Sequence, residues 1–208
     1  LHRRRHSFPT RRSSDLILIN EETPDKKWRY SSSNKLVAQL SQNMNFVMDL
    51  SVYDFLELHA KSRMVENEVE VINKIIEEAN NLAGESFKPE TPITSLSGGQ
   101  SRALMIADTA ILSSSPIILI DEIENAGIDR KRALELLVKE DKIVLIATHD
   151  PVLALMGEKR IVISNGGIAS IIETTEEERE VLGELEKMDK YIQAMRTNLR
   201  YGKKLNIN

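Results

Sequence analysis

The stretch that most constrains this chain is Ile117-Ile118-Leu119-Ile120-Asp121-Glu122. Four consecutive branched apolar residues suit a strand buried on both faces. Two acids at its end place both carboxylates at the carboxyl edge of a sheet, where open α/β folds bind ligands. Residues 143–147 form a second apolar run of the same kind, ending in Thr148-His149-Asp150. Around these runs the pattern alternates. Residues 16–19 and 35–40 read as strands, and residues 52–60, 65–83, 100–112 and 130–138 as helices. In the second helix Val65, Val69, Ile72, Ile76 and Ala79 recur every three to four positions and define one apolar face. Strands alternating with helices predict an α/β fold built on a parallel sheet.

Other segments punctuate this core. Residues 20–34 are polar, with Pro24 and three consecutive serines, and read as a loop. Residues 84–94 carry Pro89 and Pro92 and read as a connector. Residues 160–164 and 168–172 flank Asn165-Gly166-Gly167 and predict a hairpin. From Thr174 a long helix is expected. Its acids Glu176, Glu177 and Glu178 open it, and Arg196, Arg200, Lys203 and Lys204 close it, as the helix dipole favours. Its stripe of Leu185, Met188, Ile192, Met195 and Leu199 suits either packing on its own domain or contact with a partner.

Composition narrows the function classes. The 208 residues suffice for one domain and a small subdomain, and 41% apolar with 29% charged residues is an ordinary globular balance. The absence of cysteine excludes a disulfide framework, thiolate metal sites and cysteine nucleophiles. No apolar run reaches the ~18–20 residues of a membrane helix. A net charge of −4 and 4% aromatic residues speak against a nucleic-acid surface or a base-stacking platform. The first sixteen residues stand apart from the rest. Residues 6–16, HSFPTRRSSDL, resemble the conceptual translation of a common sequencing adapter, so residues 1–16 are expected to be an artefactual tail. Without its five arginines and one aspartate the net charge is −8.

The chemistry concentrates in three places. Leu96-Ser97-Gly98-Gly99-Gln100 precedes a helix, with Ser97 a natural N-cap. Two glycines there let the backbone approach a ligand, and the free N–H groups of a helix start favour an anion. Taken alone, this is also how a glycine-softened helix start looks. Asp121 is suited to hold Mg²⁺, directly or through water, and Glu122 to orient or deprotonate a water. His149, at the same sheet edge, is suited to contact a terminal phosphate.

Together, in this order and spacing, these motifs resemble the ATP-binding cassette (ABC) ATPase family. LSGGQ at 96–100 matches the family signature, and IILIDE at 117–122 its Walker B strand and catalytic glutamate. Residues 125–129 (NAGID) resemble its D-loop, His149 its switch histidine, and Gln42 its Q-loop glutamine. The resemblance covers about residues 16–173. It implies a P-loop NTPase-like parallel core, with an inserted helical signature subdomain at about 50–112, a core at 113–173 and an appended helix at 174–208. The family's phosphate loop and adenine-stacking aromatic have no counterpart in the chain, whose first glycine is Gly84. The expectation is therefore an N-terminally truncated domain at 17–173 that neither binds ATP tightly nor hydrolyses it by itself. Smaller departures are Ile123-Glu124 in place of Pro-Thr, one extra residue in the D-loop, and Ser101 after the signature glutamine.

The resemblance also implies a mechanism. Two such subunits form a head-to-tail sandwich around two ATP molecules. Ser97, Gly98, Gly99 and Gln100 of one chain, with Asp129, contact nucleotide held by the other. Asp121 and Gln42 serve Mg²⁺, Glu122 is the general base, and His149 steadies the γ-phosphate. The expected partners are a second ABC ATPase subunit and a transmembrane permease, with no nucleic acid. The expected place is the cytoplasmic face of the membrane. Two alternatives stand beside a transporter subunit. One is a soluble ABC ATPase acting in DNA repair or translation. The other is a non-catalytic regulatory cassette.

Overall fold

The computed structural model describes residues 18–19, 21, 23–25, 27–28, 34–41, 46–123, 128–139 and 142–205. The order is β1 (Val37–Leu40), α1 (Val52–Ser62), α2 (Glu68–Leu82), a 3₁₀ turn (Ile93–Ser95), α3 (Gly98–Leu112), β2 (Ile117–Asp121), α4 (Arg130–Val138), β3 (Ile143–Ala147), α5 (Pro151–Met156), β4 (Lys159–Ser164), β5 (Gly167–Glu173) and α6 (Glu176–Arg200). Strands β1, β2 and β3 form a parallel sheet in that order, while β4 and β5 pair as a separate antiparallel hairpin. The predicted α/β architecture is present.

Helix ends follow their capping chemistry. Ser51 accepts from the Asp54 amide and starts α1. Ser97 and Gln100 form a reciprocal capping box at α3, and Thr175 and Glu178 form another at α6. Asp150 caps α5, with Pro151 as its first residue, where a missing N–H costs nothing.

Two apolar clusters result. One joins α1, α2 and α3 through Val52, Leu56, Ile72, Ile75, Ala79 and Leu104. The other joins the sheet to α3, α4 and α5 through Ala38, Leu40, Ile106, Ile118, Ile120, Leu137 and Leu153. Helix α3 contributes to both, because nearly all its circumference is buried: Ser101, Arg102, Asp108 and Thr109 are enclosed along with its apolar residues. Its C-terminal carbonyls are closed by Lys142, whose ammonium donates to Thr109 O (3.2 Å), Ala110 O (2.7 Å) and Ser113 O (2.8 Å).

The sheet departs from its sequence pattern. Residues 117–120 and 143–147 predict strands buried on both faces, yet among the described residues only one face is packed by helices. The register aligns Ala38, Ile118 and Val144 on the packed side, and Val37, Ile117 and Ile143 on the open side. Ile118 is fully buried, whereas Ile143 is 61% and Leu145 45% exposed. A continuous apolar run records suitability for burial on both faces, not what covers each one. The hairpin likewise leaves Ile161, Ile163, Ile168 and Ile171 exposed. Of the expected first strand, Leu18 and Ile19 are described, and only Ile19 makes a β-bridge. Helix α6 has no fully buried residue, and Met188, Ile192 and Leu199 of its stripe are exposed. It is tied down by charge at four points: Arg160–Glu178, Lys131–Glu186, Arg130–Asp189 and Arg200–Glu85.

Candidate functional site

The parallel register decides which residues meet at the carboxyl edge. Asp121 pairs with Ala147, so the chain leaving β2 as Glu122 lies beside the chain leaving β3 as Thr148 and His149. The Glu122 amide donates to Ala147 O at 3.0 Å and extends the ladder one residue past the strand. Asp121 and His149 are exposed and Glu122 is half-buried. The three residues expected to do the chemistry at the core are thus on one edge.

Glu122 is held in an unusual conformation. Its φ is +48°, a left-handed value uncommon for a residue with a side chain. Such a conformation costs of order 1–3 kcal/mol and persists only where its surroundings over-determine it. Here both backbone polar groups are pinned. The amide is bound to β3, and the carbonyl accepts from Arg102 Nη1 at 2.5 Å. Arg102 is 6% exposed and sits one turn into the signature helix. Its Nη2 donates to Ser41 O at 3.2 Å, the residue directly before Gln42. One buried guanidinium therefore links the signature helix, the end of β2 and the segment leading into the Q-loop. Gln42 itself lies outside the described residues, as do residues 124–127 of the D-loop. Sequence reading missed Arg102, because its partners lie 20 and 61 positions away.

The signature segment is built as a presented helix start. Ser97 Oγ accepts from the Gln100 amide (3.3 Å), and Gln100 Oε1 accepts from the Ser97 amide (2.9 Å). Gln100 Nε2 reaches the Glu85 carbonyl (3.2 Å), anchoring the cap to the α2–α3 connector. Gly98 has a negative φ, and a Cβ built there meets nothing within 4 Å. The fold does not require glycine at 98. Ser97 and Gly98 are exposed, and Gly99 and Gln100 half-buried.

Asp129 caps α4, accepting from the Arg132 amide at 3.1 Å, while its own amide donates to Leu82 O. Beyond it lies a charge cluster. Arg130 binds both Asp150 and Asp189, the latter at 2.5 Å. Burial works against its charge, but the Asp189 hydrogen bond and the fields of Asp150 and Asp189 outweigh it, and the guanidinium pKa is raised.

For Mg²⁺ the donor set is limited but suitable. Among the described residues no group of three or more His, Asp or Glu side chains converges. Mg²⁺ keeps several waters and is usually held by one or two carboxylates together with phosphate oxygens. The exposed Asp121 beside Glu122 fits that role, and a dedicated all-protein cage does not. Among the described residues no helix is long and apolar enough to cross a membrane.

Comparison with known proteins places the chain in a family. The ABC transporter family model matches residues 8–125. An uncharacterised ABC transporter ATP-binding protein of Methanocaldococcus jannaschii is 52% identical over 189 residues, covering 91% of this chain and 72% of the relative. Among solved structures, cbiO1 from Clostridium perfringens, described as part of the ABC transporter complex cbiONQ, superposes with a TM-score of 0.54 at 25% identity, covering 92% of this chain and 75% of that one. A dimeric ATP-binding cassette in a post-hydrolysis state bound to ADP and Pi superposes with a TM-score of 0.58 at 21% identity, covering 76% and 72%. The fold is that of the P-loop NTPase-like ABC domains, and the chain belongs to the ABC transporter ATP-binding family.

Proposed function

We propose that the protein is the nucleotide-binding subunit of an ABC transporter, in which ATP hydrolysis at a subunit interface drives a separate membrane permease. The observation that carries this reading is the edge shared by Asp121, Glu122 and His149, with Glu122 pinned in a left-handed conformation between β3 and Arg102. The solved relatives support it: one is part of a transporter complex, and another is a dimer holding ADP and Pi.

The residues divide the work as follows. Asp121 would hold Mg²⁺ through water, and the metal would supply charge neutralisation at the phosphates. Glu122 accepts the proton of the attacking water, as general base. His149 steadies the γ-phosphate, and Gln42 serves the metal or the water. Ser97 and the Gly99 amide of the partner subunit stabilise charge on the transferring group, which is where phosphoryl transfer is accelerated. A phosphate loop is required for tight nucleotide binding, and residues 17–208 alone are read as inactive.

The test uses a full-length protein that includes a phosphate loop. Wild type hydrolyses ATP with Mg²⁺, and Glu122→Gln reduces turnover at least a hundredfold. Equal turnover in the two proteins overturns the reading. Trans action of the signature is tested by mixing a Ser97→Arg subunit with one lacking its phosphate-loop lysine. Both lesions then fall on one composite site and the other is intact, so activity returns. No return in a verified heterodimer rejects the head-to-tail assignment.

A further inference from the structure

We propose that Arg130 is a positioning residue for this site, tying the loop that ends in Asp129 to the loop that carries Thr148 and His149, with Asp189 of α6 as its anchor. The inference rests on the functional reading above. Arg130 is the first residue of α4 and directly follows Asp129. Asp150 directly follows His149 and caps α5. The guanidinium spans these two chain entries. Its Nη1 binds Asp150 Oδ2, and its Nη2 binds Asp189 Oδ2 at 2.5 Å.

Asp150 is placed so that it cannot move alone. Its Oδ1 accepts from the Val152 and Leu153 amides (2.8 and 3.2 Å), and its own amide donates to Thr148 Oγ1 (3.0 Å). A shift of Arg130 is therefore passed to the α5 cap and to the Thr148 hydroxyl on the other side of His149. The side chains of Arg130 and Asp150 are 14% and 19% exposed, so the pair is shielded from most solvent competition. The planar fork of arginine suits two separate carboxylates, whereas a lysine is a point charge that cannot span them in fixed geometry. Asp189 connects the fork to a helix that also reaches Glu85 through Arg200. Glu85 in turn holds the signature glutamine through its carbonyl. Helix α6 is thus mechanically continuous with both the His149 edge and the signature cap of its own chain, which in the head-to-tail arrangement serve two different composite sites.

Two measurements test the proposal. In the 208-residue chain, amide hydrogen exchange at Val152 and Leu153 rises about tenfold in Arg130→Gln, with α1 and α2 unchanged. In the full-length ATPase, Arg130→Gln lowers kcat about tenfold with KM for ATP within twofold of wild type. Arg130→Lys recovers part of the loss, and Asp189→Asn lies between wild type and Arg130→Gln. The neighbouring pair Lys131–Glu186 provides the control, and Lys131→Gln leaves kcat unchanged. Unchanged exchange at Val152 and Leu153 overturns the tie. A wild-type kcat in Arg130→Gln, or an equal loss in Lys131→Gln, overturns the positioning role. If the full-length wild type hydrolyses no ATP, the functional reading fails while the exchange result still decides the tie.

Discussion

The helical cluster and the open side of the sheet are both rich in branched apolar residues, yet they differ in what those residues touch. In the helical cluster Val52, Leu56, Ile72, Ile75 and Leu104 are all completely enclosed. On the open side of the sheet Val37, Ile143 and Leu145 are exposed by 40%, 61% and 45%. The helices close on one another because the apolar faces of α1 and α2 meet α3, which is buried around nearly all its circumference. The strands present two faces, and the helices α3, α4 and α5 take only one. Enclosure, not residue type, should therefore set the energetic worth of each position.

Truncation on the two sides gives the largest contrast. Ile75→Ala should cost about 2–5 kcal/mol, as buried large-to-small changes do. Ile143→Ala should stay within about 0.5 kcal/mol. Denaturant unfolding of residues 17–208 reads both, and equal losses break the comparison. A middle-sized effect is expected where the two regions are joined. Lys142, one residue before β3, closes three carbonyls at the end of α3. Lys142→Met should cost about 1–2 kcal/mol, the scale of charge-assisted hydrogen bonds at a helix C-terminus. An unchanged midpoint would show that α3 ends securely without it.

The smallest effect is at the hairpin and α6. The Arg160 hydrogen bond, followed by that of the Thr175 amide, holds the Glu178 carboxyl below its ordinary value of 4.5. A depressed folded value stabilises the state in which Glu178 is ionised. The contribution is complete above 4.5 and is lost as the pH falls through the lower folded value. Glu178→Gln should remove that part of the acid sensitivity of α6. Circular dichroism of the two proteins through an acid titration checks it, and superimposable titrations would show the pair contributes nothing.

Much of the fold was readable from the sequence because period and capping are local. The 3–4 spacing before Ala79, the Ser97 cap and the Asn165-Gly166 turn each declare an element within a few residues. The helix expected at 65–83 starts later, at Glu68, because turns at residues 63–64 and 66–67 separate it from α1. Helix α5 carried the Asp150-Pro151 signal, but six residues are too few for a periodic pattern. At the site, the shared edge of Asp121, Glu122 and His149 was readable, since parallel strands align their carboxyl ends. Arg102 and Arg130 were not, because each binds groups 20 to 61 positions away and nothing local marks it. The one-sided burial of β2 and β3 was unreadable for a related reason: covering a face is a property of the neighbour.

The mounting of α6 has a consequence of its own. A long helix with no enclosed side chain, packed on α5 and attached through Glu178, Glu186, Asp189 and Arg200, is held in part by forces that mobile ions attenuate. At physiological ionic strength the screening length is roughly 8 Å, and the exposed Arg200–Glu85 pair feels it more than the half-buried Arg130 cluster. Rising salt would therefore loosen α6 from its distal end inward. The composition of the surrounding solution, and not only nucleotide, would set how firmly the His149 edge and the signature cap of one chain are coupled.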